Sequence, residues 1–222
     1  MTEQIIISIA SGIGFSLAAI ASYLHLRHRV PRMTLVMRLA AGGAIVVSAV
    51  HLVTAFADVG TVAALQNYFS SAVLMSTLIG LVGLGVHLSG SLKGLEGVLF
   101  LAAGAIGFLE IGLANQAPAA GVTGRPWFIS HGLAFALSAT FFIVGGAASV
   151  AYLLVLRMLR RKRAVGMVGS VAPLESLERF GRWMPIIGFP LFTFGILTGL
   201  CGVAHRPDLS RIAWYWDPTF LF

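Results

Sequence analysis

Apolar residues run along this chain in six long blocks, at about 4–24, 34–57, 70–88, 97–114, 130–156 and 184–204, and the polar residues collect between them. Each block is close to the length needed to cross about 30 Å of hydrocarbon at about 1.5 Å per helical residue. An open strand cannot satisfy its backbone in lipid, so every block is predicted to be a helix. The chain therefore reads as all-α: a polytopic transmembrane bundle, one integral membrane domain over 1–222, with a basic connection at 157–183 and a tail at 205–222. Within that connection Leu174, Leu177 and Phe180 recur every third position among Glu175, Glu178 and Arg179. This spacing predicts a short helix lying on the membrane surface. Gly and Ala are frequent inside the blocks, as at Gly80, Gly83, Gly85, Gly145, Gly146, Gly195 and Gly199, which favours close helix approach. Pro190 predicts a kink in the sixth helix.

Composition strengthens the membrane reading and charge gives it a direction. The chain is 58% hydrophobic and only 10% charged, with a mean hydropathy of +0.91. A soluble fold of 222 residues has no interior large enough for such runs. The net charge of +7 is not a nucleic-acid signature, because the basic residues sit in short connections between apolar blocks. Twelve of them fall on one side: Arg27, Arg29, Arg32, Arg38, Lys93, Arg157, Arg160, Arg161, Lys162, Arg163, Arg179 and Arg182. Only Arg125, Arg206 and Arg211 fall on the other. This split predicts the basic side to be inside and the N-terminus and the 205–222 tail outside. Glu3 without a basic leader reads as the start of a retained helix. The membrane expected is a bacterial plasma membrane, with a thylakoid membrane as the alternative. Cys201, the single cysteine, allows no intrachain disulfide and reads as a small packing residue.

The candidate chemistry lies in the histidines and the tail. His25 and His28 stand among arginines and read as solvated loop residues; His87 reads as an interfacial polar group. Three others gather toward the outer side. His51 lies within the second block, roughly 6 residues or about 9 Å below the surface. His131 opens the fifth block just after Arg125-Pro126-Trp127, and His205 closes the sixth. An imidazole inside hydrocarbon needs a partner or a ligand. Beyond His205 comes Trp214-Tyr215-Trp216-Asp217-Pro218, three aromatics followed by a carboxylate. Trp214 and Trp216 share a face if this segment is extended.

Taken alone the cluster is an interfacial aromatic belt. Taken with three histidines in the same layer, it suits a flat amphipathic ligand, haem b held without a covalent bond. Neutral imidazole ligates haem iron, indoles stack on a porphyrin face, and Arg125, Arg206 or Arg211 can pair with propionates. Zinc, the competing metal, would want three or four close ligands and is set aside. Glu110, in the fourth block, either pairs with His51 or reaches the interface. No nucleotide-binding glycine loop, nucleophile elbow or internal repeat is present.

Several stretches resemble one family in order along about 175 residues. They are His51-Leu52; Leu65-Gln66-Asn67-Tyr68-Phe69-Ser70-Ser71; and Pro126-Trp127-Phe128-Ile129-Ser130-His131. Ser176-Leu177-Glu178-Arg179-Phe180 then leads through Ile187-Gly188-Phe189-Pro190-Leu191 to Gly195-Ile196-Leu197-Thr198-Gly199. Trp214-Tyr215-Trp216-Asp217-Pro218 is similar to the start of a tryptophan-rich signature. The family is that of the CcsA/ResC-type cytochrome c biogenesis membrane proteins, related to CcmC-type haem handlers and HemX-like proteins. The resemblance implies a protein that holds haem at the outer face and presents it to apocytochrome c, alongside a ResB/CcsB-like partner. It implies His131 as an axial ligand of the iron, and Trp214, Tyr215, Trp216 and Asp217 as the haem platform. The family pattern continues Asp-Pro-Lys-Glu where Thr219 and Phe220 stand here, and its members carry further helices bearing a second external histidine. Within this chain His205 and His51 are the candidates for that second ligand. The activity implied is that of a membrane component of a cytochrome c haem ligase. The alternative is a non-catalytic HemX-like regulator or complex subunit.

Overall fold

A computed structural model describes residues 2–28, 30–65, 67–114, 126–160 and 172–204. They form six helices: α1 (Thr2–His28), α2 (Pro31–Leu65), α3 (Tyr68–Ser89), α4 (Leu95–Leu113), α5 (Pro126–Arg160) and α6 (Leu174–Ala204). All six are long and apolar enough to cross a membrane, so the chain is a multi-pass all-α membrane protein. Each helix covers its predicted block. The ends differ in two places. α2 runs on to Leu65, through what was expected to be loop from 58 onward. The expected surface helix at Leu174, Leu177 and Phe180 is instead the first two turns of α6, continuous with the span. Leu177 explains the difference: it is 1% exposed and joins the main core, so the spacing of three marks a packed face and not a lipid-floating one. The helix continues through both Pro185 and Pro190.

Successive helices run antiparallel. Gly14 of α1 packs on Ala44 of α2, Ser76 of α3 bonds Glu110 of α4, and Gly145 of α5 packs on Met184 of α6. One end of the bundle carries Thr2, Leu65, Tyr68, Leu113, Pro126 and Ala204. The other, the basic end, carries every described Lys and Arg: Arg27, Arg32, Arg38, Lys93, Arg157, Arg160, Arg179 and Arg182.

Two seams hold the bundle together. α1 lies against α4 through Gly12, Ser16 and Ser22 on one side and Gly107, Gly104 and Gly97 on the other. A β-carbon added at Gly107 would lie 3.0 Å from the backbone of Gly12, so only glycine allows this approach. α5 lies against α6, where Gly181, Gly188 and Gly195 recur every seventh residue and receive Ala148, Phe141 and Phe135. A strict heptad of small residues keeps one helix face on its partner over several turns. Between the seams, Phe15, Met37, Ile79, Leu99 and Phe100 fill the main core.

Gly107→Ala should therefore destabilise the protein by about 1–3 kcal/mol, as overpacked cores do. Gly112→Ala, where an added β-carbon meets nothing within 4 Å, should be neutral or slightly stabilising. Thermal unfolding of both variants in one detergent checks this; equal effects would contradict the seam.

Candidate functional site

Pro126 begins α5, which places His131 on its second turn, facing the last turns of α6. Three contacts fix the ring. Its Nδ1 lies 2.8 Å from the carbonyl oxygen of Gly195. Its edge sits over Gly199, where a β-carbon would be 2.8 Å from Nδ1 and Cε1. Its face leans on Phe135 at a centroid distance of 4.7 Å, and Phe135 in turn meets Phe192 edge-on at 5.3 Å. A carbonyl oxygen only accepts, so Nδ1 carries the proton and donates it. In the neutral ring Nε2 then holds the lone pair. This is the arrangement found when a histidine binds a metal: one ring N–H tied to a carbonyl, the other nitrogen left basic. Gly195 and Gly199 are thus parts of the site that sequence reading took for packing alone.

His51 sits in a different seam at the same end. It is half-buried on α2 and meets Phe69 of α3 edge-on, with centroids 5.1 Å apart and planes at 84°. Asn67 sets this contact: its Oδ1 accepts from the Phe69 amide at 3.0 Å and caps α3, which holds the buried phenyl ring against the imidazole. His51 Nε2 is buried with no hydrogen-bond partner among the described residues. A cavity of about 580 Å³ beside it is lined by Glu3, Ile6, Ile7, Val46, Val50 and Thr54. The structure thus brings His131 together with α6, and His51 together with α1 and α3. Among the described residues no three His, Cys, Asp or Glu side chains gather into a metal-binding group. His205, Arg125, Arg206, Arg211, Trp214, Tyr215, Trp216 and Asp217 lie outside the described residues. Arg125 directly precedes α5 in sequence, and the others follow α6, whose last residue, Ala204, is little more than one turn beyond Gly199.

Other polar residues depart from their predicted settings. Glu110 neither pairs with His51 nor reaches the interface. It is 0% exposed, and its Oε1 accepts from Ser76 Oγ at 2.7 Å. Ser8, on the facing turn of α1, is the other hydroxyl beside this carboxyl, although neither Ser8 Oγ nor Glu110 Oε2 makes a well-formed bond. The physical reason is the glycine seam. With Gly107 seated on Gly12, the next turn of α4 points its carboxyl inward. Cys201, expected to pack, is exposed on α6. His25 is not a solvated loop residue: its Nδ1 donates to the Val30 carbonyl at 3.1 Å and ties the α1–α2 turn. Arg38 Nε donates to His87 Nε2 at 3.2 Å across α2 and α3. Glu96, unremarked in the sequence, is buried and accepts from the Gly94 amide at 2.7 Å and from Ser22 Oγ at 3.4 Å. The signal was there, a carboxylate in the first turn of a helix behind a glycine.

No family model matches the chain, and no curated protein or solved structure similar to it is found.

Ser76→Ala strips the one good hydrogen bond from a buried carboxyl and should cost about 1 kcal/mol, the scale of interhelical bonds in membranes. In a Glu110→Leu background the same change should cost only a few tenths. Thermal unfolding of the four proteins of this cycle measures the coupling. A coupling of zero would mean that the bond contributes nothing.

Proposed function

We propose that this protein binds haem b at the end of the bundle that carries the N-terminus, and presents it there to an apocytochrome c. It would do so in the plasma membrane of a bacterium, as part of cytochrome c maturation and with a ResB/CcsB-like partner. The observation that carries this reading is the setting of His131: Nδ1 is tied to the Gly195 carbonyl, so that in the neutral ring Nε2 is the nitrogen open to a metal. The aromatic tail supports it, since Trp214, Tyr215, Trp216 and Asp217 follow in sequence from the helix end nearest this ring. The positive-inside rule supports the side, because the basic end is the opposite one.

The residues divide the work as follows. His131 offers an axial nitrogen, and Gly195 fixes its tautomer and angle. His51 or His205 is the candidate for the second axial position. Trp214 and Trp216 offer faces for stacking, and Arg125 offers a guanidinium to a propionate. Bound haem supplies the group to be handed on; the chain supplies ligation, orientation and exclusion of water. The departure at Thr219 and Phe220 from the family's Asp-Pro-Lys-Glu favours one alternative, a HemX-like subunit that keeps the bundle without ligase activity.

Purified protein should show a Soret band that His131→Ala strongly weakens and that added imidazole partly restores. Gly199→Ala keeps the histidine but pushes its ring off the Gly195 carbonyl, so it should also weaken the band. An unchanged spectrum in His131→Ala rejects this residue as a ligand. No Soret band in the wild type, even after incubation with haem, favours the subunit reading.

A further inference from the structure

We propose that the groove between α1, α4 and α5 at the basic end binds one anionic glycerophospholipid, with the phosphate between Arg27 and Lys93 and an acyl chain along the apolar wall. This site is at the opposite end of the bundle from His131 and does not depend on haem binding.

The groove encloses about 670 Å³. α1 packs on α4 and α4 on α5, so the trough opens where α1 and α5 stand apart. Its wall is apolar, built from Ile20, Leu26, Leu101, Leu154, Val155 and Met158, and Leu177 of α6 closes its floor. Ile20, Leu101 and Leu154 are exposed in the described structure, which puts this wall toward lipid. The trough reaches inward as far as Ala19, eight residues from Arg27 along α1. At the helical rise this is about 12 Å, close to the roughly 15 Å of hydrocarbon in one leaflet. The depth suits an acyl chain from the adjacent leaflet.

The mouth carries two cations without counter-ions. Arg27 and Lys93 both line it, and among the described residues neither pairs with a carboxylate. Arg27 is steadied by its own helix, Nη1 donating to the Tyr23 hydroxyl at 2.9 Å. Lys93 is steadied through its backbone, whose carbonyl accepts from the Ala172 amide at 2.9 Å. The nearby carboxylate of Glu96 is occupied by Gly94 and Ser22. Two unpaired cations above an apolar trough complement a phosphate on a hydrocarbon chain. Among the described residues no imidazole lines the groove. The chain's own 161–171 segment opens with Arg161, Lys162 and Arg163, cations that those at the mouth would repel.

The test uses the full-length protein in a neutral detergent, with binding of short-chain phosphatidylglycerol and phosphatidylcholine followed by native mass spectrometry. Wild type should prefer phosphatidylglycerol by roughly twenty-five-fold, about fivefold for each cation, and high salt should shrink the preference. Arg27→Ala with Lys93→Ala should abolish the preference and leave phosphatidylcholine binding unchanged, which also shows that the variant is folded. Leu101→Trp, which fills the trough, should weaken both lipids. Equal binding of the two lipids by wild type overturns the proposal without any variant. So does a preference that survives in the double variant, or displacement by inorganic phosphate as effective as by phosphatidylglycerol, which would leave no role for the acyl chain.

Discussion

Lipid gives two apolar helices no reason to meet, since tails are as apolar as leucine. Close approach must supply what the hydrophobic effect does not, and here it is supplied by glycine. Gly107 on Gly12 brings α4 onto α1, and the heptad of Gly181, Gly188 and Gly195 brings α6 onto α5. The same constraint builds the site. A bulkier residue at Gly199 would expel the His131 ring, and a wider α5–α6 seam would put the Gly195 carbonyl out of hydrogen-bond range. Packing and the candidate ligand are therefore one feature.

The seams also decide how polar side chains survive in the interior. Most hydroxyls turn back on their own helix: Ser11 to the Ser8 carbonyl, Thr77 to Val73, Thr140 to Ala136, Thr198 to Phe194. Such bonds satisfy the hydroxyl and contribute nothing to tertiary structure. Ser22 and Ser76 reach another helix, and each meets a buried glutamate, Glu96 and Glu110. Glu96 thus ties α1 to α4 at one end of the glycine seam, and Glu110 ties α3 to α4 at the other. The α5–α6 seam is held by a histidine and stacked phenylalanines.

Much of the fold was legible in the sequence, because length and continuous apolarity are properties of single segments. Six blocks gave six helices, and the end with the basic connections is the end where the described cations lie. The errors share one cause. Whether Leu177 floats on lipid or packs, whether Glu110 points to His51 or to Ser76, and whether Cys201 is inside or outside all depend on the rotation of each helix about its axis. Nearly uniform apolarity around the helix leaves that rotation unmarked. Glycines are the exception, since their spacing marks the contact face. Gly195 and Gly199 had been noted as close-approach residues, and they proved to be where the neighbouring helix presents its histidine.

A structural and a ligating role for His131 make the same demands on most of its surroundings. A histidine that only ties α5 to α6 and a histidine that ligates iron need the same Nδ1–H bond to Gly195, the same glycine beneath the ring and the same phenylalanine at its face. Every contact so far described lies on the Nδ1 side or on the ring surface, and substitution of any of them disturbs the seam under either reading. The two readings differ only at Nε2, where a tie needs nothing and a ligand needs a lone pair aimed at metal. His51 presents the converse case. Its Nε2 is buried and unpartnered among the described residues, a cost that a purely structural histidine has no reason to bear. That buried, unsatisfied nitrogen, more than any packing contact, is what sets His51 apart from His25, His87 and His131, each of which holds a ring nitrogen in a hydrogen bond.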